Sequence, residues 1–143
     1  MSFDLSIVNG DFVIQNGDLN TIEDTTKLTQ DILKMCLTTA GTNPIHPWYG
    51  SFLSRTIIGN AMQSSIIVQI AKSQLTTALN NLKDLQTLQT QSFQRVSADE
   101  QIAAVSNISV LQSQVDPTEY SIVISVLTKG LQPITTSFSV ATI

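Results

Sequence analysis

VSNISVLQSQVDPTEYSIVISVLTKGLQPITTSFSVATI, residues 105–143, switches the hydrophobic pattern of the chain from a helical period to a period of two. Val105, Asn107, Ser109 and Leu111 alternate with Ser106, Ile108 and Val110. Tyr120, Ile122, Ile124 and Val126 alternate with Ser121, Val123 and Ser125, and a third run, ITTSFSVATI, follows. Alternation of this kind turns one face of a strand toward a core and the other toward water. Asp116-Pro117 and Gly130 to Pro133 supply the turns, so the stretch predicts a three-stranded antiparallel meander. Its terminal strands of Ser, Thr, Val and Ile carry no charge, which leaves their edges poorly protected against pairing with another chain.

Upstream, Met62 to Phe93 contains neither Gly nor Pro and places Ile66, Ile67, Ile70, Leu75, Leu79, Leu82, Leu85 and Leu88 at helical spacing. This predicts one long helix, without the strict heptad of a two-stranded coiled coil. Gln63, Gln69, Gln74, Gln86, Gln89, Gln91 and Gln94 read as its uncharged, hydrogen-bonding surface. Ser97-Ala98-Asp99-Glu100 has the Ser-x-x-Glu form of a capping box.

A shorter amphipathic helix precedes it, with Asp24 as the expected N-cap and Leu28, Ile32, Met35 and Cys36 as its apolar stripe. Gly41 stands where a left-handed cap would end that helix. Pro44 and Pro47 then stiffen a loop holding the only Trp and the only His of the chain, and SFLSRTIIG forms a short apolar helix or turn ending at Gly59. At the N-terminus, FDLSIVNGDFVI reads as a hairpin about Asn9-Gly10, with a second turn at Asn16-Gly17-Asp18. The chain is thus expected to be one α+β domain over 1–143. Its parts are a hairpin over 1–20, the first helix and loop over 24–59, the long helix region over 62–102 and the sheet over 104–143.

Charged residues make up only 13% of the chain, against roughly 25% in ordinary soluble proteins. A surface so poor in charge suits a subunit enclosed in an assembly. The net charge is −4 and the seven cationic residues are scattered, so the basic footprint of a nucleic-acid surface is missing. There is neither a signal-peptide pattern at the start nor an apolar run long enough to span a bilayer, and the chain reads as a soluble protein made in the cytoplasm.

Catalytic chemistry finds little to build on. His46 lies between two prolines and Cys36 belongs to a helix stripe, so a nucleophile–base pair is not expected. One His and one Cys do not make a zinc shell, the Asn-Gly-Asp turns lack calcium-loop spacing, and the glycines are isolated. Glu23, Asp24, Asp99, Glu100, Asp116 and Glu119 each have a local explanation as cap or turn residues. No catalytic residue, metal or cofactor is therefore assigned. Trp48 and Tyr49 remain: they either plug the end of the core or, on a stiff loop with Pro47 and Gly50, anchor an interface.

The order of parts resembles the gene-25-like (phage W) baseplate wedge family of contractile tails, which also occurs in R-type bacteriocins and type VI secretion baseplates. The resemblance rests on Leu28-x-Gln30-Asp31-Ile32, Leu37-Thr38-Thr39-x-Gly41, Pro47-x-Tyr49-Gly50-Ser51-x-Leu53, Ile57-Ile58-Gly59 and the terminal sheet. It implies a non-enzymatic virion subunit, assembled in the host cytoplasm and present in six copies around the tail hub. Its partners would be other wedge and hub proteins and the tail sheath subunit, whose first ring adds strands to the terminal sheet. Val123, Ile124, Phe138 and Val140 are the expected sheath-facing residues. Many members dock to the wedge core through Glu-Pro-Arg; here that place reads Asp99-Glu100-Gln101-Ile102, with Arg95 upstream and no Pro. The alternatives are another tail or neck adaptor, or a small peptidoglycan hydrolase using two of the acids above.

Overall fold

The computed structural model describes residues 2–59, 62–92 and 94–141. It is α+β, with short strand pairs at the N-terminus, three helices and a C-terminal antiparallel sheet. The sheet holds β7 (Ile102–Gln112), β8 (Glu119–Thr128) and β9 (Pro133–Ala141), in the order β7-β8-β9. Its inner face is built from Val110, Ile122, Ile124, Val126 and Ile134, all buried, with Tyr120 at one end. The helices α1 (Asp24–Leu37), α2 (Leu53–Ile57) and α3 (Ser64–Gln91) supply the other half of the core. The expected meander is present, and β7 begins at Ile102, three residues before the alternation becomes visible in the sequence.

The apolar stripe of α1 is buried as expected, at Leu28, Ile32, Met35 and Cys36. On α3 the buried line runs through Ile67, Ala71, Leu75, Ala78, Leu79 and Leu82, whereas Ile66 and Leu88 are exposed. Ala71, Ala78 and one amide join the buried line beside the expected leucines. The amide is Gln86, which is buried rather than solvated. Its Nε2 donates to Glu100 O (2.9 Å), and its Oε1 accepts from Ile102 N–H (2.8 Å). A single side chain thereby satisfies both backbone groups that flank the entry to β7, as a neighbouring strand would.

The N-terminal segment is more regular than a hairpin. Six two-residue strands, β1 (Asp4–Leu5), β2 (Ile7–Val8), β3 (Asp11–Phe12), β4 (Ile14–Gln15), β5 (Asp18–Leu19) and β6 (Thr21–Ile22), pair as β1-β6, β2-β3 and β4-β5. The cross-strand partners Ile7–Phe12, Ile14–Leu19 and Leu5–Thr21 close a cycle. So do the hydrogen bonds Ser6 N to Asn20 O, Val13 N to Ser6 O and Asn20 N to Val13 O. Behind this pseudo-threefold ring is a seven-residue repeat, DLSIVNG, DFVIQNG and DLNTIED, starting at Asp4, Asp11 and Asp18. Each leading Asp accepts, through Oδ1, the N–H of the residue after it, at 2.8 to 2.9 Å. Asn9-Gly10 and Asn16-Gly17 have the positive φ of type I′ turns.

The third unit explains a departure at α1. Asp24 stands where the repeat has Gly and keeps a positive φ of 51°. The N-cap is therefore Glu23, with no side-chain capping bond, and Asp24 is the first helical residue. Its carboxylate accepts from the Ser97 hydroxyl instead (2.8 Å). The ring is fastened to α1 by Gln30, which bonds Asp4, Leu5 O and Ile7 N–H, and by the Asp4–Lys34 ion pair.

Helix α1 also ends differently from expectation. It stops at Leu37, and Thr38 is extended, so Gly41 is not its cap but a loop turn with φ of 89°. The terminating groups come from far along the chain. Ser51 Oγ donates to Cys36 O (2.6 Å), Ser51 N–H donates to Thr38 O (2.8 Å), and Ala40 N–H donates to Ser51 O (3.0 Å). This short parallel bridge brings Gly50 against the backbone: a Cβ there would lie 2.5 Å from Thr38 O, at a φ of +110°. Only glycine fits.

Gly50→Ala is expected to destabilise the fold by about 2–4 kcal/mol, whereas Gly10→Ala, with nothing near its Cβ position, should cost only about 1–2 kcal/mol; urea midpoints compare the two. A second expectation concerns acid. Burial pushes the Asp4 carboxyl up, but Lys34, together with the Leu5 N–H and Gln30, outweighs it and holds the pKa below the ordinary 3.8. A carboxyl held low in the folded state contributes stability above its unfolded pKa and loses it as pH falls through the folded value. Wild type should therefore lose stability below pH 3.8, and Asp4→Asn should lose less over that interval.

Candidate interaction surfaces

The loop after α1 is stiffened by more than its prolines. Asn43 Oδ1 accepts the N–H groups of Ile45 (3.0 Å) and His46 (3.1 Å), Gly41 N–H donates to Pro47 O, and Tyr49 N–H donates to His46 O. Trp48 and Tyr49 point to different places. Tyr49 is half-buried against the core between α1 and α3, and burial pushes its phenol pKa up. Trp48 is 40% exposed and lies over α3 beside Asn81, Asp84, Leu85 and Leu88. Its ring is tilted against His46, with centroids 5.5 Å apart, which places the only imidazole of the chain in an aromatic contact. The two roles open in the sequence are thus divided between neighbours: Tyr49 fills the core, and Trp48 belongs to the surface. Pro47 and Phe52 line the adjoining groove, and the Arg55 guanidinium sits 5.5 Å over the Phe52 ring.

The segment aligned with the docking triplet is largely internal. Glu100 is 1% exposed and Gln101 7%. The expected capping box forms, with Ser97 N–H donating to Glu100 Oε2 (2.9 Å), and Ser2 Oγ donates to the same oxygen (2.8 Å). Gln101 Oε1 accepts from Lys129 Nζ (2.8 Å), and Gln101 O accepts from Lys129 N–H (3.0 Å). Asp99 Oδ1 accepts from Thr128 Oγ1 and occupies the space a side chain at Gly130 would need. The interface role expected of Glu100 and Gln101 is therefore corrected: their side chains join the N-terminus, α3 and the β8–β9 turn. Of the residues named there, Arg95 is exposed and Asp99 half-exposed.

The sheet sorts its own candidates. Val123 and Ile124 lie in β8, whose backbone is paired on both sides, and Ile124 is core. A central strand has no free edge, so neither offers backbone to a partner strand, while Val123 keeps a half-exposed side chain on the outer face. Phe138 and Val140 lie on β9, an outer strand, half-buried on its inner face. The two outer strands differ. β7 is bulged, with register shifts at Ala103 and Ser106, and Ala103 O is taken by Lys83 Nζ (2.9 Å). β9 pairs with β8 without interruption from Leu127–Pro133 to Glu119–Ala141 and carries no charge. Bulges and lysines are the usual protection of an edge, and β9 has neither.

The titratable groups are scattered by comparison. Among the described residues no group of three or more His, Cys, Asp or Glu is placed to hold a metal ion. Cys36 is buried and its thiol pKa is pushed up to about 12 by burial, which keeps it a neutral packing group. Asp116 belongs to the β7–β8 connection, where it accepts from Thr118, Glu119 opens β8, and Glu23 and Asp24 sit at the start of α1. No helix among the described residues is long and apolar enough to cross a membrane. No protein-family model matches the chain, and no curated protein matches it in sequence.

Exposure gives the order of effects in the aromatic loop. Trp48→Ala should cost no more than about 1 kcal/mol of stability, and Tyr49→Ala about 2–4 kcal/mol, both read from urea unfolding. A Trp48→Ala variant that unfolds as easily as Tyr49→Ala would return Trp48 to the core.

Proposed function

We propose that this chain is a structural wedge subunit of a contractile-tail baseplate, linking the inner baseplate ring to the tail sheath and starting sheath assembly by edge-strand pairing. The observation that carries the reading is β9: a nine-residue outer strand with no charge, no bulge and unbroken pairing to its inner neighbour. An edge of this kind is a template for a strand from another chain. The resemblance of the Leu37–Leu53 block to the gene-25-like family supplies the context, with six copies around the hub and wedge, hub and sheath proteins as partners.

In this reading the work is divided between two surfaces. The edge of β9 receives the sheath strand, which satisfies its free backbone groups. The surface around Pro47, Trp48 and Phe52 packs against a wedge neighbour, a rigid aromatic anchor that loses little side-chain entropy on docking. The Glu-Pro-Arg triplet is missing from this chain, and in the matching place Glu100 Oε2 and Gln101 Oε1 are engaged in internal bonds.

Deleting the gene from the particle that encodes it should give tail tubes without attached, polymerised sheath, and supplying the intact chain should restore them, as seen by electron microscopy. Normally sheathed tails from the deletion would overturn the reading.

A further inference from the structure

We propose that the β9 edge pairs with the β9 edge of a second copy of this chain, antiparallel about a two-fold axis at Ser137, when the protein is outside its assembly. The self-pairing uses the edge assigned above to the sheath strand but does not depend on that assignment.

The free backbone groups of β9 can be placed by residue. Thr128 N–H donates to Gln132 O (3.0 Å), one step before the strand begins. Hydrogen-bonded pairs alternate along an antiparallel ladder, so those between β8 and β9 fall on the even-numbered residues of β9. The N–H and C=O groups of Thr135, Ser137, Ser139 and Ala141 consequently face the open side. Pro133 is also odd-numbered, so its missing N–H costs the β8–β9 ladder nothing.

These open groups form a self-complementary set. Antiparallel pairing centred on Ser137 sets Ser137 opposite itself and Thr135 opposite Ser139 of the second copy. Both are hydrogen-bonded positions, and each pair exchanges two bonds. Pro133 falls at the end, opposite Ala141, where its carbonyl still accepts one. The intervening residues stand closest across the seam: Phe138 meets Thr136, and Val140 meets Ile134. Phe138 and Val140 are the two inner-face residues of β9 left half-buried, and a second copy covers both. On the outer face the seam joins Thr135, Ser137 and Ser139, all exposed and uncharged.

Neutrality selects the occupant. An edge bearing a net charge repels its own copy, since like charges directly opposite one another are unfavourable. β9 runs PITTSFSVA without one. The β7 edge is equally uncharged, but its two bulges leave only Asn107–Gln112 in unbroken register, against the whole of Pro133–Ala141 in β9. The result is a single six-stranded sheet across two copies, with a β7 edge at each end.

Sedimentation of the purified full chain over a hundredfold concentration range tests this. The expected result is a concentration-dependent species of twice 15.5 kDa. Ser137→Pro removes an outward N–H without touching the β8–β9 ladder, and Ser137→Lys sets two ammonium groups face to face at the axis without any backbone change. Both should sediment as monomers at concentrations where wild type is dimeric, with unchanged far-UV circular dichroism. If Ser137→Pro does not fold, Ser137→Lys carries the test alone. A wild-type chain that is monomeric throughout overturns the proposal, and so does a dimer that survives Ser137→Lys. Self-pairing is read from mass and sheath attachment from complementation of the deletion, so the two readings fail separately.

Discussion

The side-chain amide of Gln86 fixes how the helical half of this protein meets its sheet. One buried group donates to Glu100 O and accepts from Ile102 N–H, so the start of β7 is set by a position on α3. Everything gathered on residues 97–101 inherits that placement. Ser97 holds the first residue of α1, Glu100 holds Ser2, Gln101 holds Lys129, and Asp99 fills the space beside Gly130. Both ends of α1 are thus tied to residues distant in sequence, through Ser97 at one end and Ser51 at the other. A neutral amide suits this place, because it offers a donor and an acceptor in a buried site without the desolvation cost of an ion.

Much of the architecture was legible because periodicity is a local signal. The stripe Leu28, Ile32, Met35 and Cys36 and the alternation about Ile122, Ile124 and Val126 each follow from neighbouring residues, and both are buried as read. The misread features depend on distant partners. Gly41 has the right residue type to end α1, but a hydroxyl from Ser51 ends it at Leu37. Gln86 is one of several glutamines with nothing in its neighbourhood to mark it, and its burial is decided by the backbone of Glu100 and Ile102. The threefold arm is hidden for a different reason. Asp4, Asp11 and Asp18 recur at an interval of seven, but the Asn-Gly turns between them describe only hairpins, and closure into a ring depends on the pairing of β1 with β6.

The candidate surfaces follow the same division. The stiffness of the Pro47 to Gly50 loop was readable from its composition, while the opposite destinations of Trp48 and Tyr49 depend on how α3 crosses beneath them. The edge was readable as uncharged, but which edge is open depends on strand order and on bulges. Order closes both edges of β8, and bulges confine the unbroken part of the β7 edge to Asn107–Gln112. What remains exposed is chemically quiet. Apart from Glu119 at the start of β8, the outer sheet face is uncharged, with Asn107, Ser109, Leu111, Ser121, Ser137 and Ser139, so backbone geometry carries most of whatever specificity that face has.

A ring of three units closes only at three. Each seven-residue unit in the N-terminal arm lends one strand forward and one backward, and the last bond of the cycle returns to the first unit. Removing seven residues takes two strands out of the cycle and leaves their two partners unpaired, and inserting seven adds two strands that the present pairing does not hold. A Cβ at Gly10 or Gly17 would meet nothing within 4 Å, while the Glu23–Asp24 corner is also the start of α1. What this segment holds constant is therefore a count of residues. Its side chains can change more readily than its length.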